Sequence, residues 1–152
     1  MIILPAQESD IDPILEIEKL SFARAWTKQL FIDELSCKTG LNYVAKSDNN
    51  QKGLITGYHF FRLIADEMHI LKIAVSQQWR TCGIASQILK KSIELALKKG
   101  ALSAFLEVRP SNTPALALYW KMGFKQIGKR PGYYPETGEH ALVLMKNLKE
   151  VL

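Results

Sequence analysis

Residues 68–75, MHILKIAV, are almost wholly apolar, and the period changes just after them. Between 84 and 99 the apolar positions recur every three or four places. Ala85, Leu89, Ile93 and Ala96 share one stripe, while Lys90, Lys91, Glu94 and Lys98 lie elsewhere. The first pattern predicts a strand buried on both faces, through Ile70, Leu71, Ile73 and Val75. The second predicts an amphipathic helix that Gly100 can close in the left-handed conformation. ALSAFLEV (101–108) then predicts another strand. A strand–helix–strand unit of this length implies two parallel strands with the helix against the sheet.

The flanking segments extend the scheme. Residues 9–20 predict a first helix, with Ser9 as cap, Asp12 three places on, and Ile11, Ile14, Leu15 and Glu18 along one side. Thr27 can cap a second helix reaching about Leu35. LNYVAKS (41–47), the turn DNNQKG (48–53) and LITGYHFFRLIA (54–65) read as strand, turn and returning strand. SNTPALALYWKMG (111–123) predicts a helix with Thr113 as cap, Pro114 as first helical residue and Gly123 as stop. The chain closes as a hairpin, FKQIGKR (124–130) and EHALVLMKNL (139–148) around PGYYPETG (131–138). The predicted order is ααβββαβαββ: an α/β or α+β mixed sheet with helices on it, in one domain over 1–152.

Composition narrows the class. The 152 residues, 47% hydrophobic and 23% charged, suit one soluble domain with a real core. No apolar run approaches the roughly 20 residues of a membrane helix. The N-terminus lacks the basic flank and apolar core of a signal peptide. Cys37 and Cys82 form neither a disulfide framework nor a zinc spacing, so a cytoplasmic setting is expected and no metal is implied. The net charge of +5 favours anionic partners, such as a phosphate-bearing cofactor. Lys90, Lys91, Lys98 and Lys99 read as a solvated helix face, since no aromatic-and-basic RNA motif accompanies them. Neither direct nucleic-acid binding nor membrane binding is expected.

The turn between the central strand and helix carries the candidate chemistry. Arg80, Thr81, Cys82, Gly83, Ile84 and Ala85 give up bulk where the helix begins. A helix N-terminus offers unpaired N–H groups and the positive end of the helix dipole, which together attract an anion. Gly83 and Ala85 leave room for it, and Arg80, Thr81 and Ser86 can add donors. The turn is neither a Walker loop nor a dinucleotide-binding fingerprint. A tight connection made small only for packing is the other reading.

RTCGIA, so placed, resembles the R/Q-x-x-G-x-G/A motif of the GNAT N-acetyltransferases, and the element order resembles that fold over essentially the whole chain. SFARAWTKQLF, LEVRPSNTPALALYWKMGF and RPGYYPETGEHALVLMKNL resemble the RimI-type branch, which acetylates the N-terminal alanine of a ribosomal protein. The resemblance implies acetyl-CoA as co-substrate. Its pantetheine arm would lie along Ile73, Ala74 and Val75 like an added strand, and its pyrophosphate would rest on Thr81, Cys82, Gly83, Ile84, Ala85 and Ser86. Asn112 would contact it beyond the next strand. Glu107 would accept the proton of the attacking amine and Tyr119 would donate one to the leaving thiolate. Trp26, Arg109, Tyr133 and Tyr134 would wall a peptide groove. Three positions depart from the pattern: Ala85 replaces the commoner last glycine, Cys82 a polar residue, and His140 an acidic one. The last leaves the exact peptide specificity open.

Each residue also has an ordinary structural reading. Glu107 can be a strand-end carboxylate paired with Arg109 or a lysine, and Tyr119 a packed tyrosine beside Leu116 and Trp120. Asn112 can shape a turn, and the aromatics can pack a core or hairpin. Cys82 at a helix N-terminus can be a nucleophile, but direct transfer needs no acyl-enzyme. The expected activity is acetyl transfer to a protein N-terminal α-amine. The alternatives are another N-terminus, a lysine or a small amine as acceptor, or a non-enzymatic acyl-CoA-binding module.

Overall fold

The computed structural model describes residues 1–48 and 53–149, so most of the turn predicted over 48–53 lies outside the described residues. The elements run β1 (Ile2–Pro5), α1 (Ile11–Ser21), α2 (Lys28–Leu35), β2 (Gly40–Lys46), β3 (Ile55–Ile64), β4 (Glu67–Val75), α3 (Ile84–Lys98), β5 (Ser103–Val108), α4 (Thr113–Lys121), β6 (Lys125–Arg130) and β7 (Ala141–Asn147). The strands form one sheet in the order β1-β2-β3-β4-β5-β7-β6. Among the described residues only the β4–β5 pair is parallel, as the β4–α3–β5 crossover requires. The mixed sheet expected from the pattern is therefore present, with one strand more.

That strand is β1. It has four residues, ends on a proline, and pairs with β2 alone at the sheet edge. Ile2 and Leu4 remain partly exposed, so no buried alternation marked it in the sequence. Two caps also differ. Ser9 does not cap the first helix. Gln7 and Asp10 bond reciprocally around a short 3-10 turn, with Gln7 N donating to Asp10 Oδ2 at 2.8 Å, and α1 follows it. The cap of α4 is Asn112 rather than Thr113: its Oδ1 accepts from Ala115 N at 3.3 Å. Thr113 is already helical, and Pro114 follows where its missing N–H costs nothing. Thr27 caps α2 as expected, accepting from Leu30 N at 3.2 Å.

The helices cover both faces. On one, α1 and α2 pack against Val44, Tyr58, Phe60 and Ala74. There Phe31 meets Tyr58 and Phe60 edge to face, contacts that add about 0.5–1.5 kcal/mol each beyond burial. On the other, Leu89 and Ile93 of α3, Tyr119 of α4 and Met122 just after it pack against Phe61, Met68, Ala104 and Leu106. His59 is fully buried, shares a 2.8 Å hydrogen bond with Ser92, and is held neutral, its pKa pushed down to about 3 by burial. It ties α3 to β3.

A bulge in β4 positions the site. Phe60 pairs with Lys72 and Phe61 with Ile70, so Leu71 is the extra residue. The alternation reverses there. Met68 and Ile70 face α3 and α4, whereas Lys72 and Ala74 lie on the α1 and α2 side. Close packing fixes the far end of the strand. A Cβ on Gly57 would lie 2.9 Å from the Ala74 carbonyl and 3.1 Å from Ile88 Cδ1. Gly57→Ala should therefore lower stability by about 1–3 kcal/mol through overpacking. A thermal or urea midpoint equal to wild type would contradict this.

Candidate active site

β4 and β5 pair only from Glu67↔Ser103 to His69↔Phe105. Past the bulge β4 continues to Val75 and β5 to Val108 without pairing, so the sheet splits. The side of β4 turned away from β3 then presents backbone donors and acceptors to a cleft of about 1040 Å³. A split sheet opens to both faces. From the α3 and α4 side come Gly83, Ala85, Ser86, Asn112 and Tyr119; from the α1 and α2 side come Phe22, Trp26, Lys72, Arg109 and Tyr134. Every candidate from the sequence lines this cleft except Cys82, whose exposed thiol turns back toward the Arg80 carbonyl at 3.6 Å.

The turn before α3 is built from left-handed residues. Thr81 has φ 64° and Gly83 φ 77°. A β-branched residue with positive φ is strained, and such strain persists where the surroundings enforce it. Thr81 Oγ1 donates to the Arg80 carbonyl at 2.6 Å. Arg80 is a strut: its Nε donates to the Val75 carbonyl and its Nη2 to Ser21 Oγ, both at 3.1 Å. The first intrahelical bond runs from Gln87 N to the Gly83 carbonyl, and no side chain caps the end. The N–H groups of Ile84, Ala85 and Ser86 therefore lack helical partners where the helix meets the cleft. They can hold a phosphate-bearing anion.

Glu107 stands at the end of β5 with its side chain opposite the buried Leu106 and Val108. It pairs not with Arg109 but with Arg130, whose Nη1 donates to Oε1 at 2.7 Å. Arg109 instead donates to Glu136 at 2.8 Å and stacks over Tyr134 at 4.6 Å. Burial pushes the Tyr134 phenol up to about 12, and raises Tyr133, which also leans on Glu107. Tyr133 and Tyr134 meet edge to face at 5.1 Å, so the hairpin forms an aromatic wall. Trp26 packs on Phe31 at 5.1 Å while also lining the cleft. Tyr119 is buried against Phe124, and burial, with Tyr134 nearby, raises its phenol well above the usual range. Its hydroxyl has no hydrogen-bond partner among the described residues. Asn112 caps α4 and lines the cleft at once.

A split parallel pair with an anion-binding helix end beside it is matched by comparison with known proteins. The sequence profile of the Acetyltransferase (GNAT) family covers residues 11–124. The chain belongs to the GNAT acetyltransferase family. A Bacillus subtilis (strain 168) relative, provisionally named as a [ribosomal protein bS18]-alanine N-acetyltransferase, is 34% identical over 93% of this chain and 91% of its own. An N-alpha-acetyltransferase of Saccharolobus solfataricus is 32% identical over 94% of this chain and 90% of its own. The crystal structure of the ribosomal-protein-S18-alanine N-acetyltransferase from Escherichia coli superposes with a TM-score of 0.88 at 25% identity, covering 99% of this chain and 96% of that one. This GNAT chain is thus an N-acetyltransferase.

Several residues in or behind the cleft went unnoticed in the sequence as site candidates: Glu136, Phe22 and Lys72 line it, while Arg130 pairs with Glu107 and the buried Glu18 with Lys72. Glu18 and Lys72 carried a signal, each a charge inside an otherwise apolar stripe or strand. Arg130 and Glu136 carried none.

Proposed function

We propose that this GNAT enzyme transfers acetyl from acetyl-CoA to the N-terminal α-amine of a protein, the alanine of a small-subunit ribosomal protein being the acceptor, in the cytoplasm and within one domain. The observation that carries the reading is the split between β4 and β5, open to both faces of the sheet. It lets a phosphate-bearing co-substrate approach beside α3 and α4 and an acceptor approach beside α1 and α2. The cleft suits acetyl-CoA: the free N–H groups of 84–86 suit its pyrophosphate, and the free edge at Ile73, Ala74 and Val75 suits the amides of its pantetheine arm.

In this reading Glu107 takes a proton from the α-ammonium, directly or through a water, and the free amine attacks the thioester carbonyl. An N–H near Ala74 or Val75 stabilises the oxyanion, and Tyr119 protonates the departing thiolate. An α-ammonium of ordinary pKa, about 7.7–8.0, asks only modest help at neutral pH. Trp26, Tyr133, Tyr134 and Arg109 guide the peptide. The relatives named for N-terminal acetylation support this acceptor class.

Incubating peptides of varied first residue with acetyl-CoA, followed by mass spectrometry, tests the acceptor. Acetylation at the α-amine of Ala-first peptides is expected. Modification at lysine alone, or CoA binding with no transfer, would overturn the reading. The cradle has its own test. Gly83→Glu places a carboxylate where phosphates must sit and forces a side chain into φ 77°. Calorimetry should show acetyl-CoA affinity sharply reduced, with native circular dichroism. Unchanged affinity would remove these N–H groups from the co-substrate site.

A further inference from the structure

One buried ion pair at the wall of the cleft is used by none of the steps above. Glu18 is fully buried, 0% exposed, and its carboxylate accepts from the Tyr58 hydroxyl, from Trp26 N at 2.8 Å and from Lys72 Nζ at 2.9 Å. Lys72 is the residue immediately before Ile73, and its side chain lines the cleft while only 13% exposed. Its ammonium lies 3.6 Å from the centre of the Phe22 ring and 5.5 Å from that of Trp26. A lysine enclosed in this way cannot swing out. Moving it would strip the cation from a fully buried carboxylate, an arrangement proteins avoid. Arg24, 72% exposed at the same mouth, is held only by a 4.0 Å ion pair with Glu136.

Lys72 and Glu107 face the same side of the sheet, on opposite walls of the split. An α-amine held near Glu107 for attack beside Ala74 and Val75 directs the first side chain of the acceptor toward the surface next to those residues. That surface is Lys72 with Phe22 and Trp26. We propose that Lys72, tied down by Glu18, is the residue that limits the acceptor's first side chain to small ones, by filling the space below it with a rigid, charged floor. The inference rests on the N-terminal reading and names what selects the substrate. A long apolar first side chain would have to overlap the lysine or pack against its ammonium. Alanine or serine would do neither.

The test is a competition between peptides identical except for the first residue, Ala or Met, in wild type and Lys72→Ala. Removing the floor should shift the kcat/KM ratio toward the Met-first peptide by about 10- to 200-fold, the range set by a few methylenes in a pocket. Acetyl-CoA affinity should hold, because the change lies on the α1 and α2 side. The double variant Glu18→Gln with Lys72→Met fills nearly the same space, leaves no buried carboxylate without its cation, and decides the matter if the alanine variant fails to fold. It should shift the ratio in the same direction but less. An unchanged ratio overturns the proposal, and so does an equal fall for both peptides, which marks a strut with no part in selection. Either result leaves N-terminal acetylation standing. A wild-type enzyme that acetylates no α-amine removes both together.

Discussion

Glu107→Gln should slow acetyl transfer by about 10²–10⁴-fold, the usual cost of a lost general base. The amide keeps the shape of the side chain but cannot take a proton. The defect should be largest at acid pH, where the acceptor is almost wholly ammonium, and should shrink as pH rises through about 8 and the amine deprotonates unaided. Arg130 makes this profile informative. Its guanidinium donates to Oε1 of Glu107 at 2.7 Å, so the substitution also removes the charge that Arg130 answers. If Glu107 served chiefly to anchor Arg130 and the Tyr133 wall, loss of that anchor would damage the groove equally at every pH. Rates measured from acidic to alkaline conditions separate the two. A flat defect would make Glu107 an anchor.

What the sequence disclosed about this site follows from how locally each part is built. The α3 helix, its start at Gly83 and the left-handed Gly100 after it depend on neighbours within a few positions, and all were legible. The parallel pairing of β4 and β5 followed from the crossover between them. Cap identity was less secure because adjacent residues compete for one role. Gln7 with Asp10 displaced Ser9 by bonding to each other across the turn, and Asn112 displaced Thr113 by reaching an orphan N–H from one residue earlier. The bulge at Leu71 left no trace, because an extra residue in an apolar run alters no period that can be read. Side-chain partners across the fold were hidden altogether. Lys72 and Glu18 are 54 positions apart, and Arg130 reaches Glu107 only once the terminal hairpin folds over β5. Sequence thus located the strand ends and helix ends from which the site is made. The contacts that set its charge and size arise when those ends converge.

Tyr119→Phe separates a proton donor from a packed ring. The change removes only the hydroxyl, so the contact with Phe124 at 5.6 Å and the burial of the ring should survive, and acetyl-CoA should bind nearly as before. Burial raises this phenol, and so keeps its proton on the oxygen at neutral pH. A free thiolate, with a conjugate-acid pKa of about 8.5, is the weaker base, so the transfer depends on the water-free cleft disfavouring the thiolate as it forms. If the hydroxyl serves it, kcat should fall about 10²–10⁴-fold while co-substrate affinity holds, the mark of an interaction made in the transition state. Acyl donors with more acidic thiols need less protonation. Along such a series the phenylalanine variant should regain more rate than wild type gains, giving it the steeper dependence on leaving-group pKa. Equal slopes in the two enzymes would take Tyr119 out of the proton transfer and leave it a wall of the cleft.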